Sequence, residues 1–591
     1  MSTPSAASSV DAGGDRFVAS RPWRAAGVLA RLVDAGALVS ADVHVATRLG
    51  AITGESDERV LLAVALTVRA LREGSVCLVL ADALTLDAVN PDLLPPLDEW
   101  HAAVRRSPLV ADGVTGTADR PVRWVDGRVY LDRYWRDEQV VRRELHARLA
   151  SVPVGELALS AAVARLFPRP DDEHQRQAVY AAASRRLLVL TGGPGTGKTT
   201  TVARMVAALA ATEPGLRVAL AAPTGKAAAR LQESVAAEVE HFTDADREAV
   251  GDLRASTVHR LLGWRPGTTT RFRHGTRRPL PHDLVIVDEA SMVPLELMAR
   301  LVEAVRADAR LVLVGDPDQL ASVEAGAVLG DLVASLPSGV VRLTQAHRYG
   351  AELGALAEAI RKGDADEVLA LLRAGDEHRE FVETAGERAT VAEAAGLRVD
   401  VEATGRALVG AARAGDASAA LEALGRHRLL LAHRDGPAGV AHWAAQAEIW
   451  IAEATGARAW GTWPLGRPLL VTENDRSSGL FNGDTGVVVS DGADGVLVAF
   501  GEPHSPMLVR TSRVPTVEPV LAMTVHRGQG SQFERVTVVL PAATSPLLTR
   551  ELLYTAVTRA RSFVRVIGTG DAVRAAVTRP IRRASGLREP Q

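Results

Sequence analysis

Residues 187–199 read LLVLTGGPGTGKT, and this stretch decides the fold. Its first part, Leu187–Leu190, is a short apolar run of the kind that forms a strand buried in a parallel sheet. A glycine-rich loop of the pattern G-x-x-x-x-G-K-[ST] follows, and the next segment, Thr200–Ala211, has a helical pattern. The residues that this strand–loop–helix unit predicts to bind a nucleotide are Gly192, Gly193, Pro194, Gly195, Thr196, Gly197, Lys198, Thr199 and Thr200.

The chemistry of the loop follows from its residue types. Glycines let backbone N–H groups wrap around phosphates, and the start of the following helix adds partial positive charge. We expect Lys198 to reach the β- and γ-phosphates of ATP and Thr199 to bind Mg²⁺. The alternative is a chance glycine-rich turn, and the flanking strand and helix argue against it.

Another apolar run, Leu284–Val287, is followed directly by two carboxylates, Asp288 and Glu289. Ligands bind at the carboxyl ends of the strands in an open parallel sheet. We therefore expect Asp288 to hold Mg²⁺ through water and Glu289 to orient and deprotonate the attacking water. An Asp-Glu pair alone is usually a solvated strand end, but the upstream phosphate loop favours the catalytic interpretation.

Two further predicted strands end in polar side chains. Leu311–Val314 leads into a loop that contains Gln319, which we expect to sense the γ-phosphate. Val218–Ala222 leads into a turn that contains Thr224. Either segment alone fits an ordinary turn and helix cap, but four polar strand ends at one sheet edge predict a ligand site.

The alternation of apolar runs with helical patterns predicts an α/β fold with two parallel-sheet domains. The runs Val536–Leu540 and Val564–Ile567 belong to the second sheet. A turn-rich series of short strands at about 483–517 predicts a small, SH3-like β-barrel inserted in the second sheet domain. The predicted layout is a disordered N-terminus (1–20), a mainly helical N-terminal domain (21–155), a first sheet domain (156–350) and a second (351–591).

Composition excludes several classes. The 591 residues are 47% apolar and 24% charged, as in ordinary globular proteins, and the net charge of −3 provides no overall basic field. The single cysteine, Cys77, cannot form an internal disulfide, which fits a reducing compartment. The N-terminus lacks a signal-peptide pattern, and no run approaches the ~18 apolar residues of a membrane helix. We expect a cytoplasmic protein without membrane association.

Beyond the nucleotide site, ordered segments between about residues 160 and 570 resemble superfamily 1 helicases. In chain order, Gln175–Val179 resembles the adenine-reading Q motif, Gly192–Thr199 motif I, Ala222–Ala228 motif Ia, Asp288–Ser291 motif II, Gly315–Leu320 motif III, Gln345–Arg348 motif IV, Ala522–Ser531 motif V and Leu553–Arg561 motif VI. The resemblance implies two RecA-like P-loop motor domains, which clamp ATP between them. Motor domain 1 is the first sheet domain, and motor domain 2 is the second.

Within that superfamily the chain is most similar to the RecD family, the helicase subunits of RecBCD-type repair nucleases. The segments that carry this similarity are Ser256–Gly263, Gly315–Gly330, Phe481–Gly486, Gly74–Leu78 and Gly127–Glu138. One departure is Gly528, where the family usually has serine, so one hydrogen-bonding group near the DNA or the nucleotide is absent.

The resemblance implies roles for further residues. Arg348 and Arg559 are expected to contact the γ-phosphate, where an arginine stabilises transition-state charge; a surface salt bridge is the alternative for each. The expected DNA contacts are Thr224, His259, Thr524 and His526. Both histidines are equally compatible with a core role.

The resemblance also implies 5′-to-3′ travel on single-stranded DNA, access to duplex ends, and a heterotrimer with RecB-like and RecC-like subunits in double-strand break repair and recombination. The N-terminal domain is the expected partner-binding part. Two alternatives stay open at this point: a stand-alone RecD-like helicase and a nucleotide-binding structural subunit. The sequence offers no nuclease centre outside the helicase motifs, so nuclease activity is expected only from a partner.

Overall fold

The computed structural model describes residues 25–153, 155–265, 271–344, 351–456, 463–475, 478–492 and 495–589. The predicted disordered N-terminus and Arg348, with the rest of the predicted motif IV, lie outside the described residues. No helix in these ranges is both long and apolar enough to cross a membrane.

The N-terminal domain combines helices with a small sheet. Its elements are α1 (Gly27–Asp34), α2 (Ser40–Thr53), α3 (Glu58–Arg72), β1 (Leu78–Val79), α4 (Leu97–Arg106), β2 (Val110–Asp112), β3 (Val122–Val125), β4 (Arg128–Leu131) and α5 (Asp132–Ala147). Strands β3 and β4 form a hairpin whose turn residues Asp126 and Gly127 both have positive φ, 47° and 80°. Trp100 is buried in the core, and its indole N–H donates to the Arg59 carbonyl at 2.7 Å.

Motor domain 1 is built on a fully parallel six-stranded sheet of order β10-β5-β9-β8-β6-β7. The strands are β5 (Leu187–Gly192), β6 (Val218–Ala222), β7 (Ala255–Thr257), β8 (Leu284–Val287), β9 (Arg310–Gly315) and β10 (Val340–Leu343). Its helices are α6 (Glu156–Leu166), α7 (Glu173–Ser184), α8 (Lys198–Thr212), α9 (Gly225–Val239), α10 (Asp244–Val250), α11 (Val258–Leu261), α12 (Leu295–Ala304) and α13 (Val328–Ser335). Leu187 and Val189 pack into one core and Leu188 and Leu190 into another, so helices cover both faces.

Motor domain 2 repeats this plan with a parallel five-stranded sheet of order β11-β20-β19-β12-β18. The strands are β11 (Arg379–Glu383), β12 (His427–Leu431), β18 (Ala522–Thr524), β19 (Phe533–Val539) and β20 (Ala560–Gly568). The helices are α14 (Ala351–Lys362), α15 (Ala365–Ala374), α16 (Ala395–Arg413), α17 (Ala417–Arg426), α18 (Val440–Thr455), α19 (Arg550–Val557) and α20 (Gly570–Thr578). The predicted α/β architecture with parallel sheets is confirmed.

A small antiparallel sheet of order β16-β15-β14-β13-β17 interrupts motor domain 2. Its strands are β13 (Pro468–Val471), β14 (Thr485–Ser490), β15 (Val496–Glu502), β16 (Ser505–Arg510) and β17 (Val517–Pro519). The sheet therefore extends beyond the predicted interval 483–517 on both sides. One face packs on α16 and α17 through Val487, Val489 and Ala499. The strand order is open at both edges, and the SH3-like barrel form stays a prediction.

Candidate nucleotide site and DNA channel

The phosphate loop connects the carboxyl end of β5 to the first residue of α8, which is Lys198 itself. Gly195 and Gly197 have φ of 75° and 80°, a left-handed backbone conformation that favours glycine and from which backbone N–H groups are able to surround an anion. Lys198 Nζ donates to the carbonyls of Gly192 and Gly193 at 2.7 and 2.9 Å. Its ammonium group therefore lies within the loop, where phosphate oxygens are its expected partners.

The two predicted catalytic carboxylates follow β8 at the same edge of the sheet. Burial beside Glu289 raises the pKa of Asp288 to about 6, and the charge of Lys198 opposes this rise. The Glu289 backbone N–H donates to Asp288 Oδ1 at 2.8 Å. Glu289 itself has φ of 51°, so the backbone adopts the left-handed conformation directly after the end of β8. The structure thus brings Lys198, Asp288 and Glu289 to one end of the first sheet.

Two features of the described residues fit ATP and Mg²⁺. Gln175, in α7, is 6% exposed, and its Oε1 has no hydrogen-bond partner among the described residues, so it is free to accept from an adenine amino group. Thr199 supplies a hydroxyl and Asp288 a carboxylate, the oxygen donors that Mg²⁺ prefers alongside phosphate and water. The described residues contain no group of three or more His, Cys, Asp and Glu side chains that could hold a metal alone.

Residues 316–320, after β9, connect this site to motor domain 2. Gln319 Nε2 donates to Asp316 at 2.9 Å, while Gln319 Oε1 accepts from Arg559 Nη2 at 2.9 Å. Tyr554 also donates to Asp316, at 3.2 Å. The sequence predicted that Gln319 and Arg559 both face the γ-phosphate, and the structure shows that they bond to each other.

Arg559 is almost fully buried at the domain boundary. Its Nε donates to the Thr555 carbonyl at 3.1 Å and its Nη1 to the Ser531 carbonyl at 3.3 Å. All three of its described acceptors are neutral, so its charge has no carboxylate partner in these bonds. A surface salt bridge, the alternative considered for this residue, is therefore not what the structure shows.

A channel of about 2850 Å³ runs between motor domain 1, motor domain 2 and the small sheet. Three of the four predicted DNA contacts, Thr224, His259 and His526, lie in its wall. Thr224 also accepts from the Ala227 N–H at 3.2 Å and caps α9, so that this helix begins at the channel. The fourth, Thr524, ends β18 and is outside the channel wall.

The electrostatics of the channel are mildly positive. Among the described residues its wall contains nine lysine and arginine residues against seven acidic ones, although the whole chain is slightly acidic. Burial, with the charge of Arg428 nearby, lowers the pKa of Lys226 to about 8. Burial also lowers the pKa of His259 and His526, which keeps both rings neutral near neutral pH. They are therefore hydrogen-bonding or stacking groups rather than cations.

Sequence reasoning did not identify the aromatic rings of the channel. Trp264, Phe272 and Phe481 lie in its wall, and Phe272 contacts the His259 ring with centroids 5.9 Å apart. Phe481 also lies against Gly225, where a Cβ atom would be 2.9 Å from the Phe481 Cβ. Of the three, only Phe481 belongs to a segment that carries the family resemblance, Phe481–Gly486. The position of that segment beside the predicted barrel was the signal that could have placed this ring in the channel.

The departure at Gly528 has a structural context. Gly528 is buried, and a Cβ atom there would lie 3.4 Å from Leu430 and 3.7 Å from Met523. Those are ordinary contact distances, so a Cβ atom fits at this position. The side chains nearest to it, Leu430 and Met523, are apolar.

Sequence comparison matches three parts of the chain to known families. Residues 34–130 match the RecBCD enzyme subunit RecD, N-terminal domain. Residues 171–383 match the AAA domain, and residues 519–567 match the UvrD-like helicase C-terminal domain.

Similar proteins span nearly the full length. The RecBCD enzyme subunit RecD of Mycobacterium tuberculosis is 52% identical over 579 residues, covering 95% of this chain and 96% of that protein. The subunit of Mycolicibacterium smegmatis is 51% identical, covering 93% and 97%. The ATP-dependent RecD2 DNA helicase of Deinococcus radiodurans is 34% identical, covering 80% of this chain and 59% of that protein.

Among solved structures, the Bacteroides Pif1 helicase in complex with ADP-AlF3 and single-stranded DNA is 17% identical, with a TM-score of 0.37, covering 64% of this chain and 88% of that one. The family assignment rests on the sequence relatives. The chain belongs to the RecD family of RecBCD enzyme subunits, and it is an ATP-dependent DNA helicase subunit of that enzyme.

Proposed function

We propose that this subunit couples Mg²⁺-dependent ATP hydrolysis to 5′-to-3′ movement along single-stranded DNA, in a heterotrimer with RecB-like and RecC-like subunits that acts on duplex ends in the cytoplasm. The observation that carries the coupling is the segment 316–320. On one side, burial raises the pKa of Asp316, and Lys198 of the phosphate loop lies close enough for its charge to oppose that rise. On the other side Gln319 bonds to Arg559, and Leu320 bonds to Thr555 of motor domain 2.

The first step is nucleotide binding. Lys198 exchanges its loop carbonyls for phosphate oxygens, and Thr199 and Asp288 would hold Mg²⁺. Glu289 accepts a proton from the water that attacks the γ-phosphorus, and ADP leaves as the bond to the γ-phosphate breaks. Bound Mg²⁺ would neutralise part of the negative charge of the phosphates. Gln175 reads the adenine ring through its unpaired Oε1.

The second step is transfer of the nucleotide state across the domain boundary. Arg559 exchanges its bond to Gln319 for the γ-phosphate, which draws motor domain 2 toward the site. Next to Gln319, Leu320 accepts from Gln529 Nε2 at 2.6 Å and donates its backbone N–H to Thr555 at 2.8 Å. Gln529 lies in the channel wall, so a shift at Gln319 reaches the channel within one residue.

The third step is the grip on DNA. Thr224, at the start of α9, and Lys226 contact phosphates, which carry no sequence information, as a motor requires. Trp264, Phe272 and Phe481 provide faces on which bases stack without sequence preference. Cycles of cleft closure then shift the strand through the channel.

The test is ATP hydrolysis by the purified chain with and without single-stranded DNA. Lys198→Ala is expected to abolish hydrolysis while DNA binding persists, and Lys362→Ala, an exposed lysine on α14, serves as the matched control. Removal of Mg²⁺ with a chelator should stop hydrolysis, and added Mg²⁺ should restore it.

Direction and partners need separate measurements. Unwinding of 5′-tailed but not 3′-tailed duplexes supports the proposed polarity, and the reverse preference contradicts it. Co-purification with the RecB-like and RecC-like chains, and its loss when residues 25–153 are deleted, tests the N-terminal domain as the partner-binding part. Hydrolysis that ignores DNA would contradict the coupling through residues 316–320.

A further inference from the structure

Residues 583–589 follow motor domain 2 in the chain but lie in a crevice between the N-terminal domain and motor domain 1. The segment leaves α20 and is first fixed to motor domain 2, where Arg579 donates to the Ser545 carbonyl at 2.7 Å and the Ile581 N–H donates to Glu551 at 2.8 Å. It then crosses to the other two domains. This crossing segment, 583–589, is called the strap below.

The backbone of the strap is bound at two residues, Ala584 and Gly586. The Ala584 carbonyl accepts from the Val76 N–H at 2.7 Å, and the Ala584 N–H donates to Ser75 Oγ at 3.2 Å. The Gly586 N–H donates to Glu138 Oε2 at 2.9 Å, and its carbonyl accepts from Arg142. After these contacts the strap ends in a 3-10 turn, Gly586–Arg588.

Side chains of the strap also fit the crevice. Leu587 is 3% exposed and belongs to a core that contains Tyr130 of the N-terminal domain and Leu329 of motor domain 1. Glu589 pairs with Arg128. Gly586 lies so close to Glu138 that a Cβ atom would be 2.4 Å from Glu138 Oε1. The other oxygen of that carboxylate accepts from the Gly586 N–H.

We propose that this crevice is a peptide-binding site whose ligand is the strap, and that its occupancy limits how far motor domain 2 swings away from motor domain 1. Motor domain 2 is fixed at both ends: the chain enters it from motor domain 1 and leaves it through a bound strap. Its swing must be absorbed by the few residues around Arg582.

The strap also reaches the DNA channel. Arg583 donates to the carbonyls of Glu324 and Gly326, both at 3.4 Å, and Glu324 lies in the channel wall. Arg583 is close enough to His526 for its charge to lower the pKa of that ring. Release of the strap therefore loosens the channel wall as well as the domain boundary.

The binding site itself is tested by hydrogen exchange on the full chain, independently of the proposed motor function. We expect the amides of Val76, Ala584 and Gly586 to exchange slowly, and Leu587→Asp to speed their exchange roughly tenfold or more. Leu157→Asp, which alters an 89% exposed leucine of α6, is the matched control and should leave these amides protected. Unprotected amides in the unaltered chain overturn the proposal.

A second arm uses the full Leu587→Asp chain, whose own strap is released, and a fluorescent peptide of sequence RASGLRE, residues 583–589. The peptide should bind this full-length variant, and the same peptide with aspartate at the leucine should not. Equal binding of both peptides, or none, overturns the site.

The consequence for motion rests on the proposed function and has its own readout. Leu587→Asp should release single-stranded DNA about tenfold faster than the Leu157→Asp control, because the channel opens more easily. Loss of amide protection with an unchanged release rate overturns the limit on domain swing but leaves the peptide site standing. Absence of DNA binding in the control would instead contradict the proposed function.

Discussion

The bond between Gln319 and Arg559 makes a quantitative prediction for the substitution Gln319→Glu. Arg559 is buried, and the contacts described for it are to neutral oxygens of Gln319, Thr555 and Ser531. A carboxylate at position 319 would turn one of these into a buried ion pair. Arg559 would then be held in its resting position and withdrawn from the γ-phosphate.

The size of the effect follows from the geometry. The Nη2–Oε1 distance is 2.9 Å, so one oxygen of the new carboxylate faces the guanidinium, while the other replaces the amide nitrogen that donates to Asp316. Full charge on both partners adds about 1.5–3 kcal/mol, which corresponds to roughly a 10–150-fold fall in the fraction of Arg559 that can move. Burial already raises the pKa of Asp316, so the two adjacent acids share a proton and one negative charge still faces Arg559.

The assay is steady-state ATP hydrolysis with saturating single-stranded DNA. We expect kcat for Gln319→Glu to fall about 10–150-fold with little change in KM, because Arg559 acts on the transition state. Asp318→Asn is the control: its pair with Arg342 is partly exposed, at 2.7 Å, and its loss should change kcat less than about twofold. A wild-type kcat in Gln319→Glu, or a rise in KM alone, would refute the reasoning.

Two predictions concern titration of buried groups. Lys226, with a pKa of about 8, is charged below that pH and neutral above it, so DNA affinity should fall between pH 7 and 9 in the unaltered chain. In anisotropy titrations Lys226→Ala should flatten this fall and reduce the salt slope by about 0.7; an unchanged pH profile contradicts the phosphate contact. Burial raises the pKa of Asp331 from 3.8 to about 7, so the folded state loses stability as pH rises between those values. At pH 8 Asp331→Asn should therefore unfold at a higher urea concentration than the unaltered chain, with a free energy of unfolding larger by on the order of 1–3 kcal/mol. Near pH 4 the two chains should be equally stable, and equal stability at pH 8 would count against a buried neutral carboxyl.

The arrangement of the candidate nucleotide site was predictable from sequence because its parts are local, and the roles of its residues stay predictions. The loop before Lys198 needs glycines at fixed positions, and Asp288 and Glu289 follow the strand β8 directly on consecutive residues. The sheet then brings both strand ends to one edge, as parallel topology requires. Residue type and spacing were sufficient there.

Contacts across domains were not predictable in the same way. Gln319 and Arg559 are 240 residues apart, and no local pattern indicates that they bond to each other. The close approach of Phe481 to Gly225 likewise depends on how the small sheet packs on motor domain 1. The position of the strap has no local signal either, because Leu587 is the one large apolar residue in 583–589 and forms no periodic pattern.

The left-handed backbone of Glu289 has a consequence for the evolution of the chain. A non-glycine residue at φ of 51° costs on the order of 1 kcal/mol, which glycine would recover. A search for thermally stable variants would therefore favour glycine at this position and select against the side chain that we propose activates water. Replacing Glu289 with glycine would raise the stability of the fold and lower the activity. The strained backbone is therefore kept only where selection acts on turnover.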